Sequence, residues 1–321
     1  MSRTNDSSAP PPRYLSREAL ARLERLRLRA VRGAAATLRE GDSRGAGRGG
    51  FAEFVDHRAY APGDDLRRID WALYARRERL YVKEFGRETE PEEWIVVDSS
   101  ASMATPASKA EAARRLAFAL SFVALRGSRT VRLAAAGGST GFRRHRPLVS
   151  RSAVFDAARR AADLEFDAPG GAARGDLARD VRRLREAIHG PAGVTVVSDL
   201  LFPGEEATRE LRGLRAAGHA VTVLQLLSRE DVSLGRSGRI RFRGVEAEDS
   251  SPVEIVVDRA AAERFERAAS EFVARWRRVL RAHGIVHVVL RSDAGEDEFL
   301  FRGLKRAGVL VGAGRGARSR G

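Results

Sequence analysis

Four short, uninterrupted apolar runs constrain this chain more than any other feature. They are WIVVD (94–98), VTVVSD (194–199), AVTVLQLL (220–227) and IVHVVL (285–290). None alternates apolar with polar, so each reads as a strand covered on both faces, as parallel sheets flanked by helices require. The stretches between them carry helical signals. One helix is predicted from about 108 to 125, with Ala112, Leu116, Ala119 and Val123 near one face. Others are predicted at 151–163, 176–188 and 205–217, the last closed by Gly218, and at 259–282, closed by His283-Gly284. TVRLAAA (130–136) adds a strand and GFRRHRP (141–147) a polar edge strand. This alternation predicts an α/β three-layer sandwich with a mostly parallel sheet. In such sheets ligands bind beyond the carboxyl ends of the strands, where the strand order reverses.

The flanks differ in character. Residues 1–15 are rich in Ser and Pro and read as a disordered tail. A module over 16–91 begins with a helix from Ser16, with apolar positions Leu20, Leu23, Leu26 and Ala30. A glycine-rich loop follows at 41–50. A strand-rich aromatic segment comes next, with a strand around 81–85 and a turn at Pro62-Gly63-Asp64-Asp65. The main domain is expected over 92–300, with a β-hairpin insertion at 232–257. Residues 301–321 are expected to form a tail.

The chain has no cysteine, which excludes disulfides, thiolate zinc sites and cysteine nucleophiles. No apolar run approaches the ~18 residues of a membrane-spanning helix. The N-terminus lacks the apolar region of a secretory signal. A cytoplasmic protein is the expectation. The net charge is +15, yet only Lys83, Lys109 and Lys305 among 58 basic residues are lysine. So lopsided a ratio fits the coding bias of a GC-rich genome. The arginines are spread over many helices, not gathered into the stripe a nucleic-acid binder presents.

The first buried strand runs directly into Asp98-Ser99-Ser100-Ala101-Ser102, a D-x-S-x-S pattern. A hard cation such as Mg²⁺ takes oxygen ligands in near-octahedral geometry. Asp98 offers charge, and Ser100 and Ser102 offer neutral oxygens. A later strand ends in Ser198-Asp199, so Asp98 and Asp199 face each other if the two strands are neighbours. Read from residues alone, the serines equally suit a helix cap.

The stretch VVDSSASM resembles the metal-ion-dependent adhesion site of von Willebrand factor A domains. Upstream, Glu53-Phe54, Arg58, Tyr60, Pro62-Gly63-Asp64-Asp65, Arg67 and Ile69-Asp70-Trp71 resemble the signature of the bacterial family called domain of unknown function 58 (DUF58). The resemblance covers roughly residues 40–300. It implies a von Willebrand A-like (Rossmann-like) sheet. It implies Mg²⁺ or Mn²⁺ held directly by Ser100 and Ser102, with Asp98 and Asp199 acting through water or hydrogen bonds. A partner's acidic side chain would complete the shell. It further implies a non-enzymatic interaction module, an adaptor or co-chaperone of a MoxR-type AAA+ ATPase. One position departs from the pattern. Related domains carry a ligand threonine before the helix near 176, and here Gly175 stands in its place. Either Asp176 or a water replaces that oxygen, or the site is vestigial.

The other readings are a metal-dependent hydrolase and an Arg-rich nucleic-acid-binding protein. No general base stands out beside D-x-S-x-S. Gly45 to Gly50 fit G-x-G-x-x-G but lack the strand before and helix after that a dinucleotide site needs. Residues 137–141 fit G-x-S-x-G, but the polar strand that follows makes them a hairpin turn, not a nucleophile elbow. His57, His145, His189, His219, His283 and His287 show no zinc-binding spacing, and there is no P-loop. Arg58, Asp64, Asp65, Arg67, Asp70 and Trp71 suit a salt-bridge and turn network better than a contact surface.

Overall fold

A computed structural model describes residues 14–29, 54–66, 69–85, 92–170, 175–202, 204–235, 238–242, 244–245 and 252–312. Residues 1–13 of the expected tail, the glycine-rich loop at 41–50, Glu53, Arg67 and residues 313–321 lie outside the described residues, while Tyr14 and Leu15, also expected in that tail, are packed against the core. The chain divides into two compact units, residues 1–37 with 91–321, and residues 38–90.

In the larger unit the four apolar runs are strands β4 (Glu92–Asp98), β7 (Ala192–Ser198), β8 (Ala220–Leu227) and β11 (Val286–Arg291). With β5 (Thr130–Ala136) and β6 (Arg143–Arg144) they form one six-stranded sheet in the order β11-β8-β7-β4-β5-β6. Every pairing is parallel except β5 with β6, the polar edge strand. The chain starts in the middle, at β4, winds outward through β5 and β6, then returns to lay β7 on the other side. The strand order therefore reverses between β4 and β7, and the crevice above their carboxyl ends is the switch point.

Side-chain alternation along β4 separates two cores. Ile95 and Val97 face helices α4 (Ala107–Arg126) and α5 (Val154–Ala162). Trp94 and Val96 face α6 (Leu177–Ala187), α7 (Gly204–Ala216) and α8 (Arg259–Ala282). This is a three-layer arrangement. Helix α8 runs over the 24 residues expected, opened by Asp258, whose carboxylate accepts the Ala261 N–H at 2.6 Å. The insertion pairs β9 (Gly238–Phe242) antiparallel with β10 (Val253–Val257).

Two expectations at the flanks are corrected. The helix begun at Ser16 is only α1 (Arg17–Leu23). Leu26 and Leu28 instead belong to strand β1 (Leu26–Leu28), buried on either side of an exposed Arg27. That period of two is a strand's, and it outweighs the i, i+3 spacing of the leucines. The presumed tail is ordered through residue 312. A π-helical turn (Asp297–Arg302), the short helix α9 (Gly303–Arg306) and strand β12 (Leu310–Gly312) bury Phe301, Leu304 and Leu310. β12 pairs with β1, so 14–29 close the larger unit and do not open the smaller one.

The smaller unit pairs β2 (Phe54–Ala59) with β3 (Tyr81–Phe85) and carries α2 (Trp71–Arg77). Gly63 takes φ +108° in the turn, a conformation suited to glycine. Arg58 pairs with Asp64 at 2.7 Å, and Asp64 also accepts the Ala61 N–H. Asp70 caps α2 through Ala72 and Leu73 N–H. Arg58, Asp64 and Asp70 are thus turn and cap residues within the unit.

Candidate metal centre

Asp98 ends β4 and Ser198 ends β7, so adjacent parallel strands deliver both to the switch point. Asp98 is 1% exposed. Its Oδ2 accepts from the Ser198 hydroxyl at 2.5 Å and its Oδ1 from the Ser100 N–H at 3.0 Å. Burial pushes its carboxyl up to about 7, with the negative charge of Asp199 adding to the effect and the hydrogen bonds from Ser198 and Ser100 opposing it. Gly137, after β5, lets the backbone close on this carboxylate. A Cβ there would lie 2.6 Å from Asp98 Oδ1, and φ is +76°.

Ser100 and Ser102 stand at the start of the short helix α3 (Ala101–Ala104), with their hydroxyls 3.2 Å apart. Neighbouring ligands on an octahedral cation with bonds of ~2.1 Å lie ~3.0 Å apart, so this spacing suits two adjacent positions on one ion. No side chain of Ser100 caps the helix, which removes the plain capping account for that residue. Asp98, Ser100, Ser102, Gly175 and Asp176 line one cleft of about 1280 Å³. Its far wall carries Phe202, Phe272 and Trp276. Among the described residues no group of three His, Cys, Asp or Glu side chains is placed to hold a metal. A cation here would rest chiefly on hydroxyls, and the donor set is chemically fit for a hard ion that keeps most of its water.

Asp199 does not line the cleft. It is wholly buried, and Lys109 of α4 donates to its Oδ2 at 3.0 Å. The same ammonium reaches Asp231 at 2.9 Å. Burial alone would lower the Lys109 pKa, but the charges of Asp199 and Asp231 outweigh it and hold it above the ordinary value.

At Gly175 an added Cβ would overlap the Gly137 carbonyl, so a threonine does not fit this backbone. Asp176 caps α6, its Oδ1 accepting the Arg179 N–H at 2.9 Å. It is exposed at the cleft, with one oxygen already engaged. Residues 137–141 form the turn between β5 and β6, as expected. Ser139 donates its N–H and hydroxyl to Asp167 at 2.6 and 2.7 Å and is not poised as a nucleophile.

Lys109, Asp231 and Asp180 were not among the expected site residues. Asp180, fully buried on α6, accepts the Gly137 N–H at 3.0 Å and so fixes the loop beneath Asp98. Lys109 had a legible signal. It precedes Ala112, Leu116, Ala119 and Val123 at helical spacing, so the same stripe that predicts the core places this lysine inside it.

Fold and cleft define a doubly wound α/β protein with a carboxylate and two hydroxyls at the switch point. The chain belongs to the family described as "Protein of unknown function DUF58", whose model matches residues 56–275. An uncharacterized protein of Mycobacterium tuberculosis (strain H37Rv), Rv1480, is 32% identical over 277 residues, covering 85% of each chain. An uncharacterized protein of Mycobacterium bovis, Mb1516, matches equally. Among solved structures, BatB of Bacteroides thetaiotaomicron is similar at TM-score 0.38 and 16% identity, covering 65% of this chain and 93% of that one. A von Willebrand factor type A protein of Catenulispora acidiphila is similar at TM-score 0.33 and 18% identity, covering 59% and 43%. Likenesses of that size carry no argument about this chain. No helix among the described residues is long and apolar enough to cross a membrane.

Proposed function

We propose that this chain is a non-enzymatic, divalent-cation-dependent protein-interaction module of von Willebrand A type. The carrying observation is the pair of hydroxyls, Ser100 and Ser102, set 3.2 Å apart beside a buried carboxylate at the switch point. Ser100 and Ser102 would hold Mg²⁺ or Mn²⁺ directly. Asp98 and Asp199 would support it through water or hydrogen bonds, and Asp176 stands nearest the position where Gly175 offers no oxygen. The cation would supply positive charge for a partner's Asp or Glu, a charge-assisted contact that favours specificity. On the family resemblance, the partner class is a MoxR-type AAA+ ATPase, with this chain as its adaptor or co-chaperone in the cytoplasm.

A hydrolase reading draws on the carboxyl of Asp98, which at about 7 has the affinity for protons of a general base. Both its oxygens, however, accept from the protein's own Ser198 and Ser100, and its side chain is buried. It is not presented to a substrate. The test is retention of a MoxR-type ATPase on the immobilised chain in Mg²⁺, in chelator, and with Asp98→Ala. Retention only by the wild type in Mg²⁺ supports the module. Equal retention in chelator contradicts it.

A further inference from the structure

The buried ammonium of Lys109 pairs with two carboxylates near the switch point, Asp199 and Asp231. Its surroundings show what it does to Asp199. Lys109 occupies Oδ2 of Asp199, and the Leu201 N–H donates to Oδ1 at 3.1 Å. The main chain of Asp199 is tied as well, its carbonyl accepting from Gln225 Nε2 at 3.0 Å. Asp231, the second partner of Lys109, is itself fixed by the Ser228 N–H at 2.7 Å and hydroxyl at 3.0 Å. The ammonium is therefore anchored from behind.

A carboxylate oxygen has two acceptor sites, so each oxygen of Asp199 keeps one for a water. To become a direct ligand of a cation in the cleft, Asp199 would have to turn away from an ammonium that is buried with it. That would leave the buried ammonium with Asp231 alone in place of two carboxylates, which is unfavourable. We infer that Lys109 is a positioning residue: it holds Asp199 back from direct coordination, so that the cation keeps its charge and an open position for an outside carboxylate. The inference rests on the metal-dependent reading above. A lysine that merely stabilised the fold would support cation binding; a lysine that restrains Asp199 opposes it.

These two roles have opposite signs, and Mn²⁺ is the probe that separates them. Water-proton relaxation reports both its affinity and the number of waters on the bound ion. In the wild type, Mn²⁺ should keep about four of its six positions as water. In Lys109→Met, Asp199 is free to ligate, so Mn²⁺ should bind about tenfold more tightly, since affinity follows the charge of the ligand set. The bound ion should lose one water, and acetate should displace the remaining waters less readily. Lys109→Met/Asp231→Asn keeps the net charge of the Lys109, Asp199 and Asp231 cluster at its wild-type value and should give the same readings if the single variant does not fold. Weaker Mn²⁺ binding with an unchanged water count in a folded variant overturns the inference and leaves the metal-dependent reading standing. No Mn²⁺ binding by the wild type overturns both.

Discussion

The paired strands β4 and β7 have buried carboxylates at both ends of the pair, Glu93 at one and Asp98 with Asp199 at the other, and the two ends are built differently. At the amino end Glu93 meets Arg129 at 2.6 Å and the Thr195 hydroxyl at 3.3 Å. Burial pushes its carboxyl up, and Arg129 opposes that. Gly193 leaves no room for anything more, since a Cβ there would overlap the carboxylate. This end is closed and paired. At the carboxyl end Asp98 receives hydroxyl and amide donors, and the charge acting on it is that of the like-charged Asp199. One lysine faces two further carboxylates, and the cleft lies open above. A charge that the fold itself needs is neutralised within the fold. At the carboxyl end Asp98 has no ion pair among the described residues, although Arg275 lines the cleft and Arg179 and Arg183 approach Asp180, so its charge is left for a ligand.

Four changes sharpen or break this contrast. The largest effect belongs to the paired end. Arg129→Met strands Glu93 in the core and should cost about 3–5 kcal/mol, measured by urea denaturation, with Mn²⁺ affinity untouched. At the open end the sign reverses. A carboxyl whose folded pKa is raised from 3.8 to about 7 destabilises the metal-free fold increasingly as pH rises through that window. Asp98→Asn keeps an acceptor for the Ser100 N–H, and the Ser198 hydroxyl can turn to accept. In chelator it should stabilise the protein by about 2 kcal/mol at pH 8, and the gain should vanish near pH 4. Loss of stability at both ends on neutral substitution would break the comparison.

Gly175→Ala should cost about 1–3 kcal/mol by forcing the Gly137 carbonyl aside, and should weaken cation binding together with stability. The smallest effect is expected at His287, whose Nε2–H donates to Gln225 Oε1 at 3.1 Å behind Asp199. Burial, and then the charge of Arg277, lower its pKa to about 4. Its folded pKa lies below the unfolded value, so stability should fall as pH drops from 6.5 toward 4. The ring is partly exposed and solvent screens it, so the loss should be about 1 kcal/mol, and His287→Gln should flatten it.

The layered sheet was legible because its strands are continuous apolar runs and its helices start and stop on local signals such as Asp258 and Gly284. Asp98, Ser100 and Ser102 were legible because a strand end and five consecutive residues bring them together. What escaped depends on distant packing. Asp180 and Asp231 are ordinary acidic residues in sequence, and only the folding of α6 and of the loop after β8 brings them to Gly137 and Lys109. Arg25-Leu26-Arg27-Leu28 fits a helix or a strand alone, and pairing with β12 decides for strand. The close approach of Gly175 to Gly137 joins residues 38 positions apart, so the missing threonine could be noticed in sequence but not explained there.

The central claim is that the open end of β4 and β7 holds one divalent cation. Titration of the chelator-stripped chain with Mn²⁺ by calorimetry, beside Asp98→Ala, tests it most directly. The wild type should bind one ion saturably, and the variant should lose that binding. No heat of binding in the wild type, or equal binding by Asp98→Ala, would contradict it.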